Sequence, residues 1–162
     1  MRSSFRPKLE PLEGRVVPAL THTEVHVLIN EKEVQAPQIR ADLSQDLHEL
    51  AAVQATGLHS PNALRVDAAL RADISADETD LLRVRLQFIR LSQLDAVEDN
   101  ELSLSGQIRL ATSEVASLER MHPVPQGAVV REEAIIARDQ TQLQALEPLD
   151  AAFQQLVAES FA

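Results

Sequence analysis

The chain has 162 residues, of which 44% are hydrophobic and 25% charged, and its formal net charge is −10. This composition is typical of a globular protein, and the length suits a single domain. The absence of Cys excludes thiol nucleophiles, zinc–thiolate sites, disulfide bonds and lipid attachment to a cysteine. Nucleic-acid binding is not expected because so acidic a body repels phosphate backbones, and no apolar stretch reaches the length of about 18 residues typical of a membrane span.

The first segment, residues 5–19, differs from the rest of the chain in its proline content. Pro7, Pro11 and Pro18 exclude a long helix or a central strand there. A motif-like pattern runs through it, formed by Leu9, Glu10, Pro11, Leu12, Glu13, Arg15, Pro18 and Ala19. This pattern resembles the LEPR-XLL motif, which opens many envelope and secreted proteins of bacteria. The resemblance implies a sorting signal, and therefore a location in the cell envelope or outside the cell, without implying any activity.

Charge separates the same segment from the body. Residues 1–20 carry four basic and two acidic side chains, whereas the remaining 142 residues carry eleven basic and twenty-three acidic ones. The basic start is not followed by the apolar run of an ordinary signal peptide. We therefore predict a disordered targeting tail over residues 1–20 and a single α+β domain over residues 21–162.

The body is predicted to begin with a strand over residues 21–30, in which Val25, Val27 and Ile29 share one face with Thr23. A helix is predicted next, with Pro37 at its first position and Gly57 at its end. Its apolar residues recur at helical spacing, as Ile39, Leu43, Leu47, Leu50 and Val53.

Three further runs alternate between apolar and polar residues, at 64–74, 82–88 and 102–110. This period of two is typical of half-buried strands. The phase changes after Phe88, which predicts a β-bulge, and Gly106 indicates either a bend or a close backbone approach in the last run. Pro123 and Pro125 place a connection at residues 121–127.

Residues 128–138 suit either a buried strand or a helix, and we prefer a strand because it extends the meander. A final amphipathic helix opens at Pro148. Its apolar residues are Leu146, Leu149, Phe153, Leu156, Val157 and Phe161. The predicted fold is an α+β two-layer sandwich, in which an antiparallel sheet of about five strands carries two amphipathic helices on one face.

The best metal-like pattern is formed by His22, Glu24 and His26, which share one side of the first predicted strand. On a strand, His22 and His26 would lie about 13 Å apart and would not both reach one ion. A zinc site would need further ligands from His48, His59 or His122. We therefore predict a solvated strand face and no metal site here, with a metal site at these residues as the alternative.

Two predicted connections are acidic, and they are expected at opposite ends of the sheet. One contains Asp73, Asp77, Glu78 and Asp80, and the other contains Asp95, Glu98, Asp99 and Glu101. Both are interpreted as solubilising turns; calcium binding stays an alternative, although neither has the spacing of a known calcium loop.

Basic residues follow the polar faces of the predicted strands: Arg65, Arg71, Arg83, Arg85 and Arg109. They are expected to form cross-strand ion pairs, with a surface for an acidic partner as the alternative.

No Gly-x-Ser-x-Gly elbow and no glycine-rich phosphate loop occurs, so no enzyme activity and no cofactor are expected. The first hypothesis is a non-catalytic envelope or secreted protein with a structural or protein-binding role. The second is an adaptor, since the predicted elements after Leu64 are distantly similar to auxiliary proteins of bacterial lipid-transport ABC systems. The third is a metal-dependent enzyme around His22 and Glu24. The oligomeric state is left open.

Overall fold

The protein is described by a computed structural model that covers residues 19–57 and 60–162. It forms three helices, α1 (His22–Ala55), α2 (Pro61–Leu118) and α3 (Gln126–Phe161). No strand occurs within those two ranges. The predicted α+β sandwich is therefore wrong, and the described part is a helical bundle. The predicted tail and most of the sorting motif lie outside the described residues, which include only Ala19 of that motif.

The sequence encodes the ends of the helices through local capping. Thr21 and Glu24 form a reciprocal capping box at the start of α1, with Thr21 N–H donating to the Glu24 carboxylate over 2.7 Å. Ser60 caps α2 by accepting a hydrogen bond from the Ala63 N–H. Gly57 has a φ of 84°, a left-handed conformation that favours glycine and ends α1 as predicted.

The helices pack as two antiparallel hairpins that share α2. At a rise of 1.5 Å per residue, α2 is about 87 Å long, whereas α1 is about 51 Å and α3 about 54 Å. Helix α2 packs against both of the others. Because α1 and α3 together exceed the length of α2, their ends overlap along its middle.

Side-chain hydrogen bonds fix the register of both hairpins. In the first, Gln54 donates to Asp67 near the connection, and His22 contacts Glu98 at the far end. In the second, Gln87 donates to the Ser160 carbonyl over 2.7 Å, and thereby satisfies one of the last carbonyls of α3.

The packed face of each helix follows steps of three and four residues, as in antiparallel coiled coils. The α1 seam is Val25, Ile29, Lys32, Ala36, Ile39, Leu43, Asp46, Leu50 and Val53, all buried or half-buried. The α3 seam is Val129, Glu132, Ile136, Asp139, Leu143, Leu146, Asp150, Phe153, Val157 and Ser160. Both seams include charged side chains, so the packing is less apolar than in a typical coiled coil.

The hydrophobic core is concentrated where all three helices meet. Val25 of α1, Leu91 and Leu94 of α2, and Val157 of α3 are almost completely buried there. Leu20, Leu28, Ile29 and Phe153 pack around them. On either side of this central junction only two helices pack together, α1 with α2 in the first arm and α2 with α3 in the second arm. Many large apolar side chains of the described helices are therefore exposed.

Each predicted strand lies within a helix. Residues 21–30 belong to α1, the three alternating runs to α2, and residues 128–138 to α3. The two predicted helices are present but longer, so that Pro37 and Pro148 lie inside α1 and α3 rather than at their starts. The bulge after Phe88 and the bend at Gly106 are wrong for the same reason, because α2 runs through both positions.

None of the described helices has an apolar stretch that would carry it across a bilayer.

Candidate functional site

The central junction brings two histidines together at the start of α1. His22 and His26 are one helical turn apart, and their ring centroids lie 4.4 Å from each other with the rings nearly perpendicular. Their Nε2 atoms are 3.0 Å apart. The sequence-based expectation that they lie about 13 Å apart is wrong because the segment is a helix, on which residues four apart share a face.

Carboxylates from the middle of α2 face this histidine pair. Asp95 Oδ1 lies 3.3 Å from His26 Nε2, and Asp99 Oδ1 lies 3.5 Å from His22 Nε2. Asp95 Oδ1 is inaccessible to solvent and has no hydrogen-bond partner. His22, His26 and Asp99 form one group of side chains whose ligand atoms all lie within 4.8 Å of each other.

Glu98 connects the histidines to the other two helices. Its carboxylate lies 3.1 Å from His22 Nδ1 and accepts a hydrogen bond from the Gln154 amide over 3.3 Å. Gln154 in turn binds both the N–H and the carbonyl of Leu20. Burial raises the pKa of the Glu98 carboxyl, while its bond to His22 opposes that rise. The network therefore joins α1, α2 and α3 through partly buried polar groups.

Glu24, predicted beside the two histidines, does not belong to the cluster. Its carboxylate accepts hydrogen bonds from the N–H and hydroxyl of Thr21. These bonds hold the pKa of Glu24 below its ordinary value. Its role is to cap α1. Neither His48 nor His122 joins a group with metal-ligand geometry in the described part of the chain.

The two acidic segments do not form turns at the ends of a sheet, because both lie within α2. Asp95, Glu98 and Asp99 face the histidines. Asp77 instead faces Asp46 of α1, and burial together with the negative charge of neighbouring aspartates raises the pKa of both carboxyls. When these two carboxyl groups are ionised, their burial and mutual repulsion destabilise the packing of α1 against α2.

The predicted cross-strand ion pairs are replaced by pairs along one helix. Arg71 Nε donates to Asp67 over 2.8 Å, four residues away, and Arg83 donates to Asp80 over 2.9 Å, three residues away. The exposed Arg83–Asp80 pair contributes about 0.2–1 kcal/mol at most, whereas the Asp67 carboxylate is largely buried and also accepts a hydrogen bond from Gln54. Arg65, Arg85 and Arg109 are exposed.

A groove of about 460 Å³ lies between α1 and α2 beside the junction. It is lined by Lys32, Glu33, Ala36, Pro37, Arg40, Val84, Arg85, Phe88 and Ile89. Next to it the outer face of α2 carries three exposed apolar residues, Leu82, Leu86 and Ile89, which we call the Leu82 stripe. Sequence reasoning placed Leu82 and Leu86 in a strand core and did not identify this surface.

Comparison with known proteins gave no match to a family model, to a curated protein or to a solved structure.

Proposed function

We propose that this protein is a non-catalytic structural or protein-binding component of the bacterial cell envelope or the secreted fraction. Its partner is an acidic amphipathic helix that docks along the Leu82 stripe. The observation that carries the proposal is the exposure of the stripe, at 65% for Leu82, 45% for Leu86 and 53% for Ile89. Solvent-exposed apolar side chains grouped in this way are typical of interaction surfaces.

The spacing of the stripe suits a helical partner. Leu82, Leu86 and Ile89 follow each other at i, i+4 and i+7, and so lie in a row along two turns of α2. An amphipathic helix offers apolar side chains at the same spacing and inserts them between such rows. The neighbouring groove, floored by Val84 and Phe88, extends the apolar surface towards α1.

Charge around the stripe selects an acidic partner. Arg85 lies on the same stretch of α2, and Arg40 and the half-buried Lys32 of α1 line the adjoining groove together with one acidic residue, Glu33. These cations stand out on a chain whose formal net charge is −10. A partner helix with Glu or Asp beside its apolar row gains attraction from this rim, whereas a basic helix is repelled by it. The same complementarity disfavours a second copy of this acidic chain.

The location rests on the N-terminal segment. Residues 5–19 resemble a bacterial sorting motif, and α1 begins only three residues after Ala19. The adaptor alternative keeps no support from topology, because the meander on which that similarity depended is replaced by α2 in the described residues.

Binding to a designed peptide tests the docking surface. The probe is a fluorescent helical peptide with Leu at i, i+4 and i+7 and flanking Glu residues, titrated with the full chain in an anisotropy assay. We expect saturable binding that weakens at least about tenfold in Leu86→Glu, since a charge within an apolar contact is poorly tolerated. The control is Leu110→Glu, at another exposed apolar position of α2, on the arm that α2 forms with α3.

Three results would overturn the docking proposal. The first is equal binding of a peptide in which Lys replaces Glu. The second is equal weakening by both substitutions. The third is dimerisation of the wild-type chain that Leu86→Glu abolishes, measured by light scattering, because it would assign the stripe to a second copy.

Fractionation of cells tests the location. The full chain and a variant lacking residues 1–19 are expressed in a bacterium whose own proteins carry the sorting motif. The amount of each chain in the envelope, the medium and the cytosol is then compared by immunoblot. We expect the full chain outside the cytosol and the truncated chain inside it. A full-length protein that stays wholly in the cytosol contradicts the sorting proposal and leaves the docking proposal to be judged separately.

A further inference from the structure

We propose that the central junction binds a divalent first-row transition ion, of which Zn²⁺ is the best fit, through His22, His26 and Asp99, with Asp95 completing the set. The proposal goes beyond the docking role and does not depend on it. It rests on the convergence of imidazole nitrogens and carboxylate oxygens from two helices onto one point.

The distances fit tetrahedral coordination. Bonds of about 2.0–2.1 Å to Zn²⁺ place neighbouring ligand atoms about 3.3–3.4 Å apart in a tetrahedron. The separations here are 3.0 Å between the two histidine Nε2 atoms, 3.3 Å between His26 Nε2 and Asp95 Oδ1, and 3.5 Å between His22 Nε2 and Asp99 Oδ1. The ligand atoms of His22, His26 and Asp99 all lie within 4.8 Å of one another, and Asp95 Oδ1 lies beside them, 3.3 Å from His26 Nε2.

The backbone makes this set rigid. His22 and His26 are four residues apart on α1, and Asp95 and Asp99 are four residues apart on α2. Residues at this spacing lie on one face of a helix, so two pairs on packed helices are held opposite each other. Two imidazoles with two carboxylates suit zinc and its neighbours, whereas Mg²⁺ and Ca²⁺ prefer sites made of oxygen alone.

Two further observations favour a ligand over a simple surface pair. Asp95 Oδ1 is shielded from solvent and has no hydrogen-bond partner although it points at His26. The Glu98 carboxylate lies 3.1 Å from His22 Nδ1, and the Nε2 atom of the same ring lies 3.0 Å from His26 Nε2. A carboxylate behind a ligating histidine is a recurring feature of zinc sites.

The ion would clamp the first turn of α1 to the middle of α2. Because Glu98 also bonds Gln154, which holds Leu20, the clamp extends to α3. The exposed side chains of His26 and Asp99 leave the site open to ions from solvent.

Calorimetry on chelator-treated full-length protein, with Zn²⁺ alone as the probe, tests the site. We expect saturable binding of one ion per chain and a rise in Tm on loading. The double variant His22→Ala/His26→Ala loses both responses, and Glu98→Gln binds about 10–100-fold more weakly. The controls are His48→Ala, an exposed histidine of the same helix, and Glu24→Ala, which removes the cap alone; both bind as wild type does.

Cobalt provides a readout that does not depend on stability. Co²⁺ bound to two imidazoles and two carboxylates in a tetrahedral site gives intense visible absorption, which the double histidine variant lacks while its circular dichroism stays helical. If neither Zn²⁺ nor Co²⁺ binds saturably, the proposal is wrong, and His22 and His26 are only a hydrogen-bonded pair. Binding of several ions that the double variant retains also overturns it, since that result assigns the ions to the acidic surface.

Discussion

The side-chain amide of Gln154 binds the backbone of Leu20 at two points, although the two residues are 134 positions apart in the chain. Its Oε1 accepts from the Leu20 N–H over 2.9 Å, and its Nε2 donates to the Leu20 carbonyl over 3.0 Å. A single α3 side chain therefore satisfies the residue that leads into α1. This contact fixes the position of Leu20 against α3.

Gln154→Ala is expected to destabilise the fold by about 1–3 kcal/mol, because it leaves two partly buried backbone groups without partners. Chemical denaturation with urea measures the loss. The control is Gln155→Ala, which removes only an exposed bond to Glu159 and is expected to cost less than about 0.5 kcal/mol. If both variants lose the same free energy of unfolding, the contact between Gln154 and Leu20 does not stabilise the fold more than an exposed hydrogen bond does.

Asp139 lies in the α3 seam and is completely buried. Arg138 binds its Oδ1 through Nε and Nη2, both at 2.7 Å, whereas Oδ2 has no partner. Arg138→Ala is expected to destabilise by about 1–3 kcal/mol, since it leaves a buried carboxylate unpaired. Asp139→Leu extends the apolar seam and is expected to be neutral or stabilising. In the double variant Arg138→Ala/Asp139→Leu, we expect urea denaturation to recover most of the free energy of unfolding that Arg138→Ala alone removes. If the effects of the two substitutions on the free energy of unfolding simply add, the two side chains do not stabilise each other.

Asp46 and Asp77 predict a dependence of stability on pH. Their pKa values are raised in the folded state, chiefly by burial and then by neighbouring aspartates, so the folded chain holds these protons more tightly than the unfolded chain. Their favourable contribution is complete below the unfolded pKa of about 3.9 and is lost as the pH rises through the folded pKa.

Asp77→Asn therefore raises Tm at neutral pH, by about 1–2 °C for a protein of this size, and the gain shrinks near pH ~4. Differential scanning calorimetry at both pH values checks this. Glu114→Gln, an exposed site on the other arm, serves as the control and should show no such pH-dependent gain. A gain from Asp77→Asn that is the same at both pH values contradicts the repulsion argument.

Pro148 lies inside α3 on its exposed side. A proline there removes one helical hydrogen bond and its ring crowds the carbonyl of the preceding turn, while it also restricts the unfolded chain. We therefore expect Pro148→Ala to raise the free energy of unfolding, measured by urea denaturation, by a net amount on the order of 2 kcal/mol. A loss of stability would mean that α3 depends on a distortion at this position.

Part of this architecture could be predicted from the sequence. The helix carrying Ile39 to Val53, its end at Gly57 and the last apolar helix all proved correct, because helical spacing and a glycine stop are local signals. The strands proved wrong for a reason visible in α2. Leu64, Val66 and Leu70 alternate with polar residues, yet only Leu70 of the three is buried. The true seam, in steps of three and four, contains Asp67 and Gln87, which disguise it.

Another signal for α2 was available. No Gly or Pro occurs between Pro61 and Gly106, and hairpins joining several strands over that distance would need turn residues. The stretch is instead rich in Leu, Ala and Arg, which favour helices. The absence of turn chemistry outweighs a short alternating pattern.

The candidate site was only half accessible from sequence. His22 and His26 were identified, but as residues of a strand, and their four-residue spacing is the one that a helix requires. Asp95 and Asp99 have the same spacing, about 70 residues further on. Their meeting with the histidines depends on the antiparallel register of α1 on α2, which no local pattern encodes.

The core is concentrated at one place, where Val25, Leu91, Leu94 and Val157 are almost completely buried. We therefore expect the middle of α2 to be more rigid than its two ends. Amide protons near the midpoint of α2 are therefore expected to exchange with solvent only when all three helices separate, whereas those close to either connection exchange when a single helix pair opens. The two ends of the bundle can then change shape locally while the contact between Gln154 and Leu20 at its centre stays intact.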